Sequence, residues 1–288
     1  MAQSSGGHRL MDTQRAEGSH QGDKIAGKVG SQIFGSLWSM KTWIQYRREL
    51  KAFFVSPVAY LVLFACSLIN GASFTFWLYY LTYSNTRDFN ILQACTNAFF
   101  FWFLLLIQVP LITMRSFAEE YKLGTIELLL TAPITEWEVV AAKFLATFTF
   151  FLVLWTPLPF CLGILRWVNA QPLGIGTGMT LLPFFLLCLI GMFFISIGLF
   201  CSSLTRNQVI AAILAFAAIF LVFSSSFLVY LGVGSSTREI VTYLSFLDQM
   251  DAFSRGVFDS RPVVLYVTAT FLFLFLTERA LVWRRLAD

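Results

Sequence analysis

Long stretches without a single charged side chain recur along this chain, and they leave few folds open to it. Residues 58–81 and 91–114 are two such runs, each of 24 residues. At about 1.5 Å per residue, a helix of that length crosses the hydrocarbon core of a bilayer. Residues 144–165 form a third run, bracketed by Lys143 and Arg166. Nothing from 167 to 205 is charged either, but Pro172, Gly174, Gly176 and Gly178 mark its beginning as loop, which places a fourth span at 180–203. A fifth span falls at 209–231. The last uncharged run, 262–277, is short. The span there extends to 282, with Glu278 and Arg279 reaching the interface by snorkelling. Charged residues make up only 12% of the chain, against about a quarter in soluble domains. The expectation is an all-α membrane protein with six transmembrane helices.

Orientation follows from the distribution of Lys and Arg. With the N-terminus inside, only Arg87, Arg166, Arg238, Arg255 and Arg261 of the 20 basic residues fall on outer segments. Both termini are therefore expected in the cytoplasm, with Trp77, Tyr79, Tyr80 and Trp167 at the outer interface and Trp137 and Trp283 at the inner one.

Residues 1–35 are rich in Gly, Ser, Gln and charge and read as a disordered basic arm, with no cleavable signal pattern. Gly22-Asp23-Lys24-Ile25-Ala26-Gly27-Lys28 imitates a phosphate-binding loop. The position that should carry a Mg²⁺-binding hydroxyl is Val29, no strand precedes it, and no αβ domain follows. Residues 36–56 read as an interfacial amphipathic helix. Trp43, Tyr46, Leu50, Phe53 and Phe54 share one face, and Lys41, Arg47, Arg48 and Lys51 the other. That pattern suits a helix with its aromatics in lipid and its cations at the headgroups. Pro57 ends it, and 57–288 is the transmembrane domain.

Several function classes drop out. The two histidines, His8 and His20, lie in the arm, so no histidine site operates in the membrane. The five cysteines (Cys66, Cys95, Cys161, Cys188 and Cys201) sit in or beside apolar runs without CxxC spacing, which suggests neither metal nor disulfides. No HExxH motif or pair of membrane aspartates is present, so a membrane enzyme is not indicated. Spans one to five hold no deep ionisable group, which argues against a proton-coupled carrier. The basic residues concentrate in the arm, which is no sign of nucleic-acid binding. Asn70, Gln108, Ser224, Ser225 and Ser226 are the polar residues within spans that are candidates to line a translocation path. The alternative is hydrogen bonding between helices.

Between spans two and three runs Arg115-Ser116-Phe117-Ala118-Glu119-Glu120-Tyr121-Lys122-Leu123-Gly124-Thr125-Ile126-Glu127-Leu128-Leu129-Leu130-Thr131-Ala132-Pro133. Gly124 interrupts a helical pattern and Pro133 stops it. An apolar patch ringed by carboxylates on the cytoplasmic face suits docking onto another protein. A connector whose leucines pack under its own helices stays open as the plainer reading. The outer segment 232–261 is long enough for a re-entrant element, with Ile240, Val241, Leu244, Leu247 and Val257 apolar enough to dip into the bilayer edge, and an ordinary surface loop is the plainer reading.

The stretch from Arg115 to Pro133 resembles the signature of ABC-2-type permeases, the membrane subunits of ABC transporters. Arg115 through Glu120, Gly124 through Thr131, and Pro133 all match. The gliding-motility-type subgroup is similar in two further places: Glu49 through Tyr60, and Leu244-Ser245-Phe246 with Phe253 through Asp259. Arg284-Arg285 at the end also fits, and the longer N-terminal arm departs from the subgroup. The resemblance implies that the signature contains a cytoplasmic coupling helix docking on a separate ATP-binding subunit, with Arg115, Glu119, Glu120, Gly124, Thr125, Glu127 and Pro133 at the contact. The interfacial helix, through Trp43, Tyr46, Arg47, Arg48 and Lys51, would ride with it. ATP and Mg²⁺ would sit on that partner, and this chain would bind no cofactor or metal. A second permease chain, identical or related, is implied, in the cytoplasmic membrane, and export is favoured over import. An outer gate would form from 232–261. An ATPase-linked motility or assembly scaffold and an ATP-independent carrier are the rival readings.

Overall fold

The computed structural model describes residues 41–83, 91–124, 135–168, 177–227 and 244–287. The chain divides into two units, Met1–Ile44 and Gln45–Asp288. Of the first, 41–44 are described, and they are helical. The second begins with helix α1 (45–55). It continues with α2 (Pro57–Tyr83), α3 (Ile91–Asn97), α4 (Phe99–Thr113), α5 (Ala118–Leu123), α6 (Glu136–Trp155), α7 (Pro157–Val168), α8 (Thr177–Ser203), α9 (Gln208–Ser224), α10 (Phe246–Ser254) and α11 (Ser260–Ala287). No strand occurs among the described residues. Six stretches are long and apolar enough to cross a membrane: Pro57–Tyr80, Phe99–Leu123, Glu136–Leu165, Leu181–Ser203, Gln208–Phe227 and Ser260–Arg285. In lipid only a helix or a closed barrel satisfies every backbone donor and acceptor, so uncharged runs of this length fold as these helices. The chain is an all-α, six-span, multi-pass membrane protein.

Helix α8 is the hub. It packs most extensively on α11 and also touches α9, α10, α4 and α6. Small residues allow the close approaches. A methyl group added at Gly198 would lie 2.3 Å from Thr113 Oγ1 on α4, and one at Gly191 would lie 2.3 Å from the Phe151 ring on α6. The core between these helices is aromatic: Phe101 meets Trp155 with centroids 4.9 Å apart, and Trp102 meets Phe223 at 5.2 Å.

Two uncharged runs contain breaks that a charge count does not reveal. The run 91–114 divides at Ala98, whose backbone is extended (φ −66°, ψ 138°). The first piece, α3, is a separate buried helix held between α2 and α10. The third span divides at Thr156, because Pro157 and Pro159 have no N–H to continue the ladder. Thr156 Oγ1 donates to Val153 O at 2.6 Å, satisfying the carbonyl that Pro157 cannot reach. That span also starts earlier than the charge bracket implies. Helix α6 begins at Glu136, behind a capping box in which Thr135 N donates to Glu138 Oε2 (2.8 Å) and Glu138 N donates to Thr135 Oγ1 (3.4 Å).

Part of the outer segment is α10. Its N-cap is Ser245, and its apolar side (Phe246, Met250 and Phe253) is buried. Gln93 Nε2 and Asn97 Nδ2 on α3 donate to Asp251 Oδ1 at 2.7 and 3.1 Å, and Arg255 pairs with the same carboxylate at 2.7 Å. Of the residues read as dipping into the bilayer edge, Leu244 and Val257 are exposed and Leu247 is half-buried, while Ile240 and Val241 lie outside the described residues.

Candidate functional site

Charge converges where α1, α5 and α6 meet. Lys143, one turn into the apolar part of α6, is only 2% exposed. A buried ammonium is costly unless it is paired and hydrogen-bonded, and here it is both. Lys143 Nζ donates to Glu49 Oε1 on α1 at 3.1 Å and to Glu120 Oε1 on α5 at 2.9 Å. The ring of Phe117 lies 5.2 Å from the same nitrogen. Arg48 leans on the two carboxylates from the outside, 3.3 Å from Glu49 Oε1 and 3.6 Å from Glu120 Oε1. One lysine thus fastens the amphipathic helix and the start of the signature segment to the third span.

A second cation works beside it. Arg115 donates through Nη1 to Ser56 Oγ (2.8 Å), at the junction of α1 and α2, and faces Glu119 at 4.0 Å. Serine also fixes α5 from the other side. Ser202 Oγ on α8 accepts from Phe117 N at 3.1 Å and Ala118 N at 3.2 Å, and itself donates to Met114 O at 3.3 Å. These amides open a helix and have no partner within it, so the hydroxyl acts as a cap supplied by a distant span. At its other end α5 stops at Gly124, which adopts the left-handed conformation (φ 70°) that a side chain would strain. The C-terminal helix joins the same end of the bundle: Arg285 pairs with Glu136, and the Arg284 guanidinium lies 4.7 Å over the Tyr121 ring.

Of the residues the signature singles out, Arg115, Glu119, Glu120 and Gly124 come together here. Thr125, Glu127 and Pro133 lie outside the described residues. On the amphipathic helix, Arg48 joins the charge cluster, while Arg47 and Lys51 are exposed. Trp43 is exposed too. Protein covers part of the aromatic face, while Phe54 stays exposed. Tyr46 OH hydrogen-bonds Thr149 Oγ1 (3.1 Å), and Phe53 stacks on Phe150 with centroids 5.0 Å apart. The third span covers this side of α1, because Thr149 and Phe150 offer it a hydroxyl and a ring at matching height.

The five polar residues within spans are not joined to one another by any hydrogen bond among the described residues. Ser224 and Ser225 bond back to Phe220 O and Val222 O on their own helix, both at 2.7 Å. Ser226, fully buried, accepts from Phe246 N at 3.0 Å and so ties α9 to α10. Asn70 and Gln108 are buried, and Asn70 Nδ2 and both amide atoms of Gln108 have no hydrogen-bond partner.

Sequence reasoning gave Lys143 only the role of bounding a span and did not single out Ser56 or Ser202. The available signal was the pairing problem itself. A lysine directly before a long apolar run needs anions close by, and Glu49 and Glu120 flank the same membrane face.

A family model described as ABC-2 family transporter protein matches residues 14–277, reaching from the basic arm into the last span. A comparison with curated proteins gives no match. With six apolar spans and this match over most of its length, the chain belongs to the ABC-2 transporter family and is a multi-pass membrane component of an ABC transporter.

Proposed function

We propose that the chain is the permease subunit through which an ATP-binding subunit drives a substrate across the cytoplasmic membrane, with export the favoured direction. The observation that carries this reading is the Lys143 cluster. Its contacts at 2.9 and 3.1 Å bind α5, the amphipathic helix and the third span into one unit just before the signature segment leaves at Gly124. A docked ATPase pushing on that segment would therefore move three elements together. Such a movement is a rigid-body switch, not a local deformation. The segment from Gly124 to Pro133 is the coupling helix in this reading. Glu127 pairs with basic residues of the ATPase, and the exposed cations Arg47 and Lys51 lie on the anionic leaflet. ATP and Mg²⁺ bind on the partner. A second permease chain, identical or related, supplies the other half of the pathway. Parts of the sequence resemble the gliding-motility-type subgroup, and substrate transport and an ATP-driven motility or assembly role would both be served by this coupling.

The test is affinity purification of the full chain in mild detergent from cells expressing its own neighbours, with an ATPase assay on the eluate. A stoichiometric partner carrying a phosphate-binding loop, lost from Glu127→Arg while the variant still inserts in the membrane, is the expected result. A wild-type chain that purifies without ATPase activity, or a Glu127→Arg variant that binds and stimulates its ATPase normally, would overturn it.

A further inference from the structure

A cavity of about 540 Å³ opens between α1, α2 and the end of α4, beside the Lys143 cluster. That is within the range of pockets that hold small molecules, roughly 300–1,000 Å³. Its wall is divided. One side carries the side chains of Arg48, Arg115 and Glu119, and the other is apolar, formed by Val58, Val62 and Leu111. Val58 and Leu111 are also exposed on the outer surface of the helices, at 38% and 37%, and neighbouring Val55 is 80% exposed. The opening is therefore apolar on one side and charged on the other, which suits an amphiphile lying at the membrane interface.

The charges on the polar side define the headgroup. Lys143 is saturated by its two carboxylates at hydrogen-bonding distance. Arg115 is less well satisfied: among the described residues its side chain hydrogen-bonds Ser56 Oγ, its Nε is buried with no hydrogen-bond partner, and Glu119 stands off at 4.0 Å. Arg48 contacts its carboxylates with one nitrogen, at 3.3 and 3.6 Å, and keeps 58% of its side chain exposed. Glu119 lines the cavity and is 43% exposed. Two guanidinium groups with donors to spare match one phosphodiester, since guanidinium binds phosphate through paired N–H groups. One spare carboxylate beside them matches an ammonium. The apolar wall below takes hydrocarbon.

We propose that this cavity binds a zwitterionic glycerophospholipid carrying a primary ammonium, drawn from the leaflet on the basic side of the membrane. Its phosphate lies between Arg48 and Arg115, its ammonium at Glu119, and one acyl chain along Val58, Val62 and Leu111. A lipid with phosphate but no ammonium leaves the Glu119 carboxylate facing an anion, and it is discriminated against on that ground. The lipid lies beside the Lys143 cluster that joins the amphipathic helix to α5. This site does not depend on the transport reading, because binding requires neither ATP nor a partner.

The experiment uses the full chain in nanodiscs of phosphatidylglycerol doped with a phosphatidylethanolamine bearing a diazirine high on one acyl chain. Crosslinks should fall on peptides covering 55–62 and 111–116. Unlabelled phosphatidylethanolamine should displace the probe, and the phosphatidylglycerol host should not. Labelling should drop by about tenfold in Arg48→Gln/Arg115→Gln, as expected for lost charge-assisted hydrogen bonds. Val58→Trp, which fills the mouth from an exposed position, should reduce it similarly, and Val264→Trp, at an exposed position of α11 outside the cavity, should leave it unchanged. Labelling spread evenly over lipid-facing peptides, no displacement in the wild type, or a phosphatidylglycerol probe crosslinking as strongly would each overturn the proposal. The wild-type competition decides the matter even if a variant fails to fold.

Discussion

Lys143 Nζ lies 2.9 Å from Glu120 Oε1, and the lysine is 2% exposed. Glu49 shares the same ammonium at 3.1 Å, so each carboxylate backs up the other. Removing both anions strands a buried cation, whereas removing the cation leaves two partly exposed carboxylates that Arg48 can still neutralise. The double variant Glu49→Gln/Glu120→Gln should therefore lose more stability than Lys143→Met, by about 3 kcal/mol or more relative to wild type. It should also lose more than the two single substitutions combined. Denaturation of the purified protein in mixed micelles, followed by tryptophan fluorescence, reads this directly. Additive single effects would show that the lysine does not depend on the pair.

Helix α8 approaches α4 so closely that a Cβ at Gly198 would sit 2.3 Å from Thr113 Oγ1 and 2.8 Å from Thr113 Cβ. A β-branched side chain cannot swing away from such a contact. Gly198→Ala should destabilise the protein by about 1–3 kcal/mol, and Thr113→Ala should rescue it only in part, because the Thr113 Cβ remains. Gly71→Ala and Gly163→Ala have open space around the new methyl group. They should be neutral or stabilising by up to about 1 kcal/mol through helix propensity. The same micelle denaturation separates the two classes.

Asp251 gathers Gln93, Asn97 and Arg255 at the far end of the bundle from Lys143. In Asp251→Ala the buried Gln93 amide loses its acceptor. The expected loss is about 1–3 kcal/mol, local to that end. Hydrogen exchange should quicken in α3 and α10 and stay unchanged in α5 and α6. Uniform deprotection would mean that the two ends unfold as one unit.

Topology has a direct chemical test. In a background with the five native cysteines replaced, Ser84→Cys and Ser235→Cys should react with a membrane-impermeant maleimide in intact cells, and Thr135→Cys should not. Labelling at Thr135→Cys would reverse the orientation drawn from the Lys and Arg distribution.

Where the sequence was informative, the reason was the absence of charge. A bilayer cannot solvate ions, so the six spans show themselves as runs without them. The divisions inside those runs belong to other physics. Pro157 and Pro159 announce the break at Thr156 to a reader of hydrogen-bond donors, not to a reader of charge. The break at Ala98 has no local breaker. It accompanies the long-range bonds of Gln93 and Asn97 to Asp251, which lies 158 and 154 residues further along the chain. Amphipathic periodicity marked two faces on α1 but not what would cover them, and Tyr46 and Phe53 turned out to meet Thr149 and Phe150. At the candidate site, the acidic residues of the signature segment were legible, while Lys143, whose position explains them, looked like a boundary marker.

One hydroxyl has a mechanical consequence. Ser202 Oγ holds the first amides of α5, yet it belongs to α8, and α8 is also the helix against which α10 packs. At 27 residues, α8 is about 40 Å long, enough to reach from one face of the membrane to the other. A displacement of α5 would be passed through Ser202 to α8, which meets α10 where Phe194 packs on Phe246 with centroids 5.5 Å apart. The signature segment and the helix α10 thus share one supporting helix, although they lie far apart in sequence.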